Sequence, residues 1–142
     1  METHISGHGV FRLQYHIVWV AKYRRWILRP GVPEYLERTL RGLLRNMPGV
    51  TLEQVGSDQD HIHLVMEIPP KYAISAVMAE LKSRSASQLR KKFAWLAKVY
   101  WKENIVWSPG YFVSSVGADE ATIRRYVEYQ GRQDGGQQAL LL

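Results

Sequence analysis

Two histidines one residue apart are the side chains of this sequence best suited to chemistry. They are His61 and His63, in segment 60–68, which reads DHIHLVMEI. The alternation of a β-strand places both imidazoles on one face and leaves the other face to Ile62, Leu64, Met66 and Ile68. Because neutral imidazoles bind divalent metals, the pair predicts half of a metal site. A lone strand histidine is usually an ordinary half-buried residue, so the pair by itself leaves that interpretation open.

A second group of functional side chains lies near the end of the chain. Segment 121–130 reads ATIRRYVEYQ and follows Asp119 and Glu120, which are typical of a helix start. Residues four apart lie on the same face of a helix, so Tyr126 and Gln130 are predicted to be neighbours. Tyr129 lies on a different face and is the second candidate for a functional tyrosine.

The two groups together resemble a known enzyme family. A His-hydrophobic-His strand and a tyrosine followed four residues later by glutamine are similar to the HUH-type single-tyrosine transposases of bacterial insertion sequences. These TnpA-like, or IS200-like, enzymes cut and join single-stranded DNA. Segments 15–25 and 107–117 resemble that family's first strand, with its basic exit, and its last strand. The resemblance covers about residues 11 to 133, which is nearly the whole chain.

The resemblance implies a role for each of these residues. Tyr126 would be the nucleophile that forms a covalent 5′-phosphotyrosine, and His61, His63 and Gln130 would hold Mg²⁺ or Mn²⁺. Water and phosphate oxygens would fill the remaining positions, although Zn²⁺ also accepts such ligands. The cation would compensate for a phenol whose pKa is about 10. The implied partners are single-stranded DNA with a hairpin and a second copy of the chain. In that homodimer each site would combine the histidines of one subunit with the tyrosine helix of the other.

Composition limits the class of partner. The 142 residues fit a single domain over 1–142, with a core at about 11–133, and carry a formal net charge of +6. This charge favours a polyanion, and nucleic acid rather than a membrane, because no apolar run reaches the roughly 18 residues of a membrane span. Cysteine is absent, which excludes disulfides and thiolate chemistry. The N-terminal segment lacks the apolar core of a secretory signal, so a cytoplasmic location is expected.

The apolar periodicity predicts an α+β fold of the ferredoxin-like (RRM-like) type. Strands are expected at 11–21, 50–57, 61–68 and 104–115, and helices at 32–46, 74–96 and 119–130. This order implies a four-stranded antiparallel sheet with helices on one face, plus an extra C-terminal helix that carries the catalytic tyrosine. The histidine pair would look out from the open face, where that helix could reach it. A flexible C-terminal tail is expected to begin at residue 131.

Basic residues are concentrated in the second predicted helix and beside both functional segments. No acidic residue occurs between Leu81 and Lys102. The predicted DNA contacts are Lys82, Arg84, Arg90, Lys91 and Lys92 in the helix, Arg24 and Arg25 after the first strand, and Arg124 and Arg125 beside the tyrosine. Such contacts to phosphates hold a strand without reading its sequence, and an ordinary solvated basic face is the alternative.

Two other functions fit part of the sequence. A non-catalytic binder of single-stranded or structured nucleic acid could use the same sheet, but it would need exposed aromatics on that sheet and has no use for a histidine pair. A domesticated relative that acts on chromosomal repeats would use the same chemistry, and only genomic context separates it from a mobile-element enzyme. Replication initiators and relaxases share the histidine pair but are usually larger. The sequence therefore favours a transposase.

Overall fold

The computed structural model describes residues 4–6, 9–11 and 13–141, and the side chains of residues 13–135. The strands are β1 (His4–Ser6), β2 (Gly9–Phe11), β3 (Gln14–Val20), β4 (Thr51–Ser57), β5 (His61–Glu67) and β6 (Phe112–Ser114). The helices are α1 (Val32–Leu43), α2 (Ile74–Lys92), α3 (Leu96–Val99) and α4 (Glu120–Leu141). No helix within these ranges is both long and apolar enough to cross a membrane.

Four strands form one antiparallel sheet in the order β4-β5-β3-β6. Helix α1 connects β3 to β4, β4 and β5 form a hairpin, and α2 lies between β5 and β6. Strands β1 and β2 pair with each other in a separate two-stranded sheet. The predicted ferredoxin-like fold with an additional C-terminal helix is therefore confirmed.

The core lies between one face of the four-stranded sheet and helices α1 and α2. Apolar residues recur every second position in β5 and every third or fourth position in α1 and α2, as burial on one side requires. Side chains with at most 1% exposure include Ile62, Leu64 and Met66 of β5, Leu36 and Leu40 of α1, and Met78 and Leu81 of α2. Burial of each such side chain contributes about 1.5–3 kcal/mol.

The opposite face of the sheet is covered by α4. Val127 of this helix is buried against Val18 and Val20 of β3, and Ile123 and Phe112 pack around them. The extra helix thus lies across the open face of its own chain's sheet.

The first and the last strand of the predicted sheet are shorter than expected. Strand β3 begins at Gln14, and residues 9–11 pair with β1 instead of extending it. Of the predicted strand 104–115, only Phe112–Ser114 joins the sheet, while Trp107 makes a single bridge to Ala21. Pro109 has no amide hydrogen and Gly110 has a φ of +83°, so the chain turns away from the sheet between these contacts.

The helices also end at other residues than predicted. Helix α2 ends at Lys92, and the short α3 is separate from it. Helix α4 begins where expected, with Asp119 Oδ1 accepting a hydrogen bond from the Thr122 amide at 2.7 Å. It continues to Leu141, so the predicted end at residue 130 is wrong and segment 131–141 is helical. Gly131 lowers helix propensity there, but the contacts of Asp134 described below offset this cost.

Replacement of Leu64 by alanine tests the packing of this core. Because Leu64 is fully buried in the middle of β5, Leu64→Ala should lower the free energy of unfolding by about 2–5 kcal/mol in urea titrations. Val113→Ala in β6 is the matched control, since Val113 is 37% exposed and should change stability by no more than about 0.5 kcal/mol. Equal losses for the two variants would contradict the described core.

Candidate active site

His61 and His63 lie side by side along β5 on the face that points away from the core. In the antiparallel register with β3, His61 pairs with Val20 and His63 pairs with Val18. Both imidazoles are partly exposed, whereas Ile62 between them is buried in the core. The structure places the pair as strand alternation predicts.

A carboxylate orients the ring of His61. Asp60 Oδ1 lies 2.8 Å from His61 Nδ1, and Arg24 Nε donates to Asp60 Oδ2 at 3.1 Å. Burial alone would raise the pKa of Asp60, but the hydrogen bonds from His61 and Arg24 outweigh it and hold the pKa below its usual value. An ionised Asp60 accepts a hydrogen bond from His61 Nδ1–H, and the neutral tautomer with its proton on Nδ1 carries on Nε2 the lone pair that a metal requires. The sequence analysis assigned Asp60 only to a turn, although its place next to His61 was the available signal.

A third histidine, which the sequence analysis did not single out, stacks on His63. The ring centroid of His16 in β3 lies 5.7 Å from that of His63. Burial, followed by the nearby charges of His16 and His61, lowers the pKa of His63. His63 Nε2 is buried and has no hydrogen-bond partner among the described residues. A neutral imidazole with an unused nitrogen has the properties of a metal ligand. The signal for His16 was its place on the same face of β3 as Val18.

Helix α4 borders an open cavity of about 630 Å³ above the histidine pair, which we call the histidine cavity. Its walls come from the turn after β3, the β4–β5 hairpin and one side of α4. They include Arg24, Trp26, Asp58, Asp60, His61, His63, Ile123, Arg124, Val127 and Glu128. Trp26 is 64% exposed, so an apolar ring and two guanidinium groups stand beside the imidazoles. The cavity has the size of a small-molecule site.

Tyr126 packs against the valines of β3 beside Val127, on the side toward β6. Its ring centroid lies 5.8 Å from that of Phe112 in β6, and β3 separates β6 from the histidine strand. The Tyr126 hydroxyl donates a long hydrogen bond of 3.5 Å to Gln130 Oε1. Burial, followed by the charges of Asp134 and Tyr129, raises the pKa of Tyr126 to about 12. In this conformation the phenol is held in its protonated form more firmly than a free tyrosine.

Gln130 is held by a buried carboxylate one helical turn further on. Gln130 Nε2 donates to Asp134 Oδ1 at 3.2 Å, and Asp134 has no exposed surface. Tyr126, Gln130 and Asp134 therefore form a row along α4 with a spacing of four residues. The sequence analysis missed Asp134 because it ended the helix at residue 130, although the repeated spacing was a usable signal.

The candidate residues come together as two separate pairs. The lining of the histidine cavity includes Ile123 and Val127 but neither Tyr126 nor Gln130. Val127 lies between the two pairs, packed on β3. Within one chain in this conformation, Tyr126 and Gln130 thus stand outside the histidine cavity.

The histidine pair has the donor chemistry of an incomplete cation site. Two imidazoles with available nitrogens suit a divalent metal. Across the described part of the chain, no three His, Cys, Asp or Glu side chains converge as a metal site. A cation held by His61 and His63 would therefore need further ligands from an amide, from water or from a bound phosphate. The residues fit such a cation.

Two of the basic residues predicted to contact DNA hold a loop of the protein itself. Lys82 Nζ donates to the carbonyl oxygens of Ser108, at 2.8 Å, and of Gly110. Arg90 Nη1 donates to the carbonyl oxygen of Ile105 at 2.9 Å. Burial lowers the pKa of Lys82 to about 8. Lys82 and Arg90 therefore attach segment 105–110 to α2, in addition to any contact with a ligand.

The other basic candidates are divided between the two sides of the sheet. On the α2 side, Arg84 pairs with Glu80 at 2.9 Å, Lys92 Nζ lies over the Tyr35 ring, and Lys91 lines a second cavity of about 640 Å³. On the open side are Arg24 and Arg124, which line the histidine cavity, Arg25 near the Tyr23 ring, and Arg125, which donates to Thr122 Oγ1 at 3.3 Å. The basic residues thus form two separate surfaces, one on each side of the sheet.

Known proteins with similar sequences are transposases. The family model described as "Transposase IS200 like" matches residues 9–130. The transposase for insertion sequence element IS200 of Salmonella typhimurium is 33% identical over 128 residues, which cover 90% of this chain and 83% of that protein. The ISDra2 transposase TnpA of Deinococcus radiodurans is 31% identical over 129 residues, which cover 88% of this chain and 89% of that protein.

Known structures share the fold. A crystal structure of a protein from Deinococcus radiodurans R1, provisionally identified as a transposase, has a TM-score of 0.78 at 28% identity, over 89% of this chain and 97% of that chain. A REP-associated tyrosine transposase, solved with a REP hairpin bound, has a TM-score of 0.52 at 15% identity, over 88% of this chain and 70% of that chain.

The lowered pKa of His63 makes stability depend on pH. In the unfolded chain His63 binds a proton near its ordinary pKa of 6.5, whereas the folded chain binds it only at lower pH. Below about pH 6.5 the unfolded state therefore holds more protons, and the folded state loses stability as the pH falls. His63→Asn should show a shallower loss than the wild type in urea midpoints measured from about pH 7.5 to about pH 5. Identical slopes would contradict a neutral His63 in the folded protein.

Proposed function

The chain belongs to the family of IS200-like transposases, and we propose that it nicks and rejoins single-stranded DNA at hairpin-bearing insertion-sequence ends through a covalent 5′-phosphotyrosine. That it is a DNA transposase follows from the family and from its relatives. The use of a divalent cation, the hairpin and the covalent intermediate are the proposal. The observation that carries it is the outward-facing histidine pair on β5 beside a helix that carries Tyr126 and Gln130.

Tyr126 is the proposed nucleophile. Its hydroxyl oxygen forms a bond to the scissile phosphorus while the bond from phosphorus to the 3′-oxygen breaks. The phenol proton passes to solvent and the departing oxygen takes up a proton, so a 3′-hydroxyl leaves and the 5′ side stays attached to the protein. Because the phosphotyrosine retains the energy of the broken bond, a new 3′-hydroxyl can reverse the step and join another end.

His61, His63 and Gln130 are the proposed cation ligands. Mg²⁺ or Mn²⁺ bound there would stabilise the negative charge that develops on the phosphate, and so compensate for the high pKa of the Tyr126 phenol. The protein's own contribution is to orient His61 and to keep His63 neutral. Asp60 orients His61 by accepting a hydrogen bond from it, and burial, followed by the nearby charges of His16 and His61, lowers the pKa of His63.

We propose that the complete site is built by two copies of the chain. Tyr126 and Gln130 do not line the histidine cavity, and Tyr126 packs toward β6, which supports a homodimer in which each pair meets its complement from the other copy. The family resemblance implies the same arrangement. A shift of α4 on its own sheet is the alternative way to join the pairs.

The proposed partner is a DNA strand that carries a hairpin. A transposase with the same fold is bound to a REP hairpin, which supports this choice. Arg24 and Arg124 in the histidine cavity would contact phosphates, and the exposed Trp26 ring would stack on an unpaired base. On the α2 side, the exposed Arg84, Lys91 and Lys92 would hold the duplex part through its phosphates.

Removal of the Tyr126 hydroxyl tests the nucleophile. Labelled single-stranded oligonucleotides with an imperfect hairpin are incubated with protein and Mg²⁺, and the covalent adduct is detected on a denaturing gel. Tyr126→Phe should abolish the adduct and keep hairpin affinity within about threefold, because phosphate contacts elsewhere supply most of the affinity. Tyr129→Phe is the control, since Tyr129 is 51% exposed and should still form the adduct.

Two results of this assay would reject the assignment. An adduct with Tyr126→Phe and none with Tyr129→Phe would make Tyr129 the nucleophile. Hairpin binding by the wild type without any adduct would favour the non-catalytic nucleic-acid binder.

Mixing two inactive variants tests how the site is assembled. His61→Ala, His63→Ala and Tyr126→Phe should each lose cleavage when assayed alone. When His63→Ala and Tyr126→Phe are mixed and allowed to exchange subunits, each heterodimer contains one site with wild-type histidines and a wild-type tyrosine. Half of the dimers are then heterodimers with one intact site of two, so adduct formation should reappear at up to about a quarter of the wild-type level at equal mixing. If the mixture stays inactive although exchange is demonstrated, the site is completed within a single chain.

A further inference from the structure

Asp134 is the most deeply buried charged group of α4 and is surrounded by hydrogen-bond donors. It has no exposed surface. In the described part of the chain it accepts from Lys22 Nζ at 3.4 Å, the Tyr23 amide at 2.9 Å, Gln130 Nε2 at 3.2 Å and Ser108 Oγ. A carboxylate is retained in an interior only where such donors replace its hydration.

The donors come from three separate parts of the chain. Lys22 and Tyr23 belong to the turn after β3, Ser108 to the segment before β6, and Gln130 to α4 itself. Within this turn Tyr23 has a φ of +60° and Arg24 a φ of +53°, values that are uncommon for residues other than glycine. This backbone conformation points the Tyr23 amide at Asp134, so the strained turn and the carboxylate support each other.

Asp134 also sets the orientation of the Gln130 side-chain amide. A side-chain amide carries two donors on nitrogen and an acceptor on oxygen, and its neighbours select between the two orientations. A carboxylate only accepts, so Asp134 selects Nε2. Gln130 Oε1 is then directed to the Tyr126 hydroxyl, and the backbone of Gly110 lies close by without a side chain.

We propose that Asp134 is a positioning residue for the transposase reaction, which orients the Gln130 amide so that its oxygen is presented beside Tyr126. Only the amide oxygen can bind a cation, because the amide nitrogen carries no available lone pair. With Asp134 absent, the amide is free to rotate and to present its NH₂ group instead. This inference rests on the proposed function, since it assigns Asp134 a role only through Gln130.

Substitution of Asp134 by asparagine removes the selection with little change of shape. In Asp134→Asn the new side-chain amide can either donate to or accept from Gln130, so both orientations of the Gln130 amide become allowed. Calorimetric titration of the full chain bound to hairpin DNA should show Mn²⁺ affinity weakened by about 10- to 100-fold. The Mg²⁺ concentration for half-maximal adduct formation should rise by a similar factor, while hairpin affinity is kept. Asp134→Ser, a smaller neutral replacement, gives the same measurement if the asparagine variant does not fold.

Two further variants separate positioning from stability. Ser108→Ala removes a different donor to Asp134 but leaves the contact with Gln130, so it should lower the melting temperature and leave Mn²⁺ affinity unchanged. The double variant Gln130→Glu with Asp134→Asn exchanges the two functional groups, so that the carboxylate stands at position 130 and the amide at position 134. The introduced asparagine donates to one oxygen of the introduced glutamate and the second oxygen faces Tyr126, so Mn²⁺ affinity should return to at least the wild-type value.

Equal Mn²⁺ titrations for the wild type and Asp134→Asn, or an equal weakening in Ser108→Ala, would overturn the inference. The adduct assay of the wild type tests the proposed function separately. Mn²⁺ binding that depends on Asp134 without any adduct would reject the nicking reaction and keep the positioning role. An adduct whose Mg²⁺ dependence is the same in the wild type and in Asp134→Asn would keep the nicking reaction and reject the positioning role.

Discussion

Strand β5 must be apolar on one face and polar on the other, and the rest of the structure depends on this constraint. Ile62 and Leu64 are buried against the helices, which sets the register of β5 with both neighbouring strands. Because side chains alternate, a slip of one residue would place His61 and His63 in the core. The burial of Ile62 and Leu64, which stabilises the fold, therefore also fixes the face of the sheet on which the imidazoles lie.

Helix α4 divides the open face of the sheet into two chemically different sides. Val127 anchors the helix on β3, and Ile123 and Tyr126 pack against the same valines of this strand. The side toward β5 lines the cavity of the two histidines, and the side toward β6 carries Tyr126. In the proposed reaction the two halves of the site, the histidine pair and the Tyr126–Gln130 pair, must be brought together, which is why subunit exchange is informative for this protein.

Two buried carboxylates organise the two halves, and the turn after β3 serves both of them. Arg24 of this turn pairs with Asp60, which orients His61. Lys22 of the same turn pairs with Asp134, which holds Gln130. Each carboxylate orients a neighbouring side chain through its acceptor-only chemistry, so one strained turn connects the orientation of His61 with that of Gln130.

The sequence by itself determined the order of strands and helices, the outward face of the histidine pair and the proximity of Tyr126 to Gln130. These features follow from local periodicity, which is written in residues two to four apart. The tertiary structure decided the short β6, the stacking of His16 on His63, the side of α4 that Tyr126 faces and the burial of Asp134. Lys22 and Asp134 lie 112 residues apart in the chain, and no periodic pattern pairs such residues. Their contact exists only because the sheet and α4 close around it.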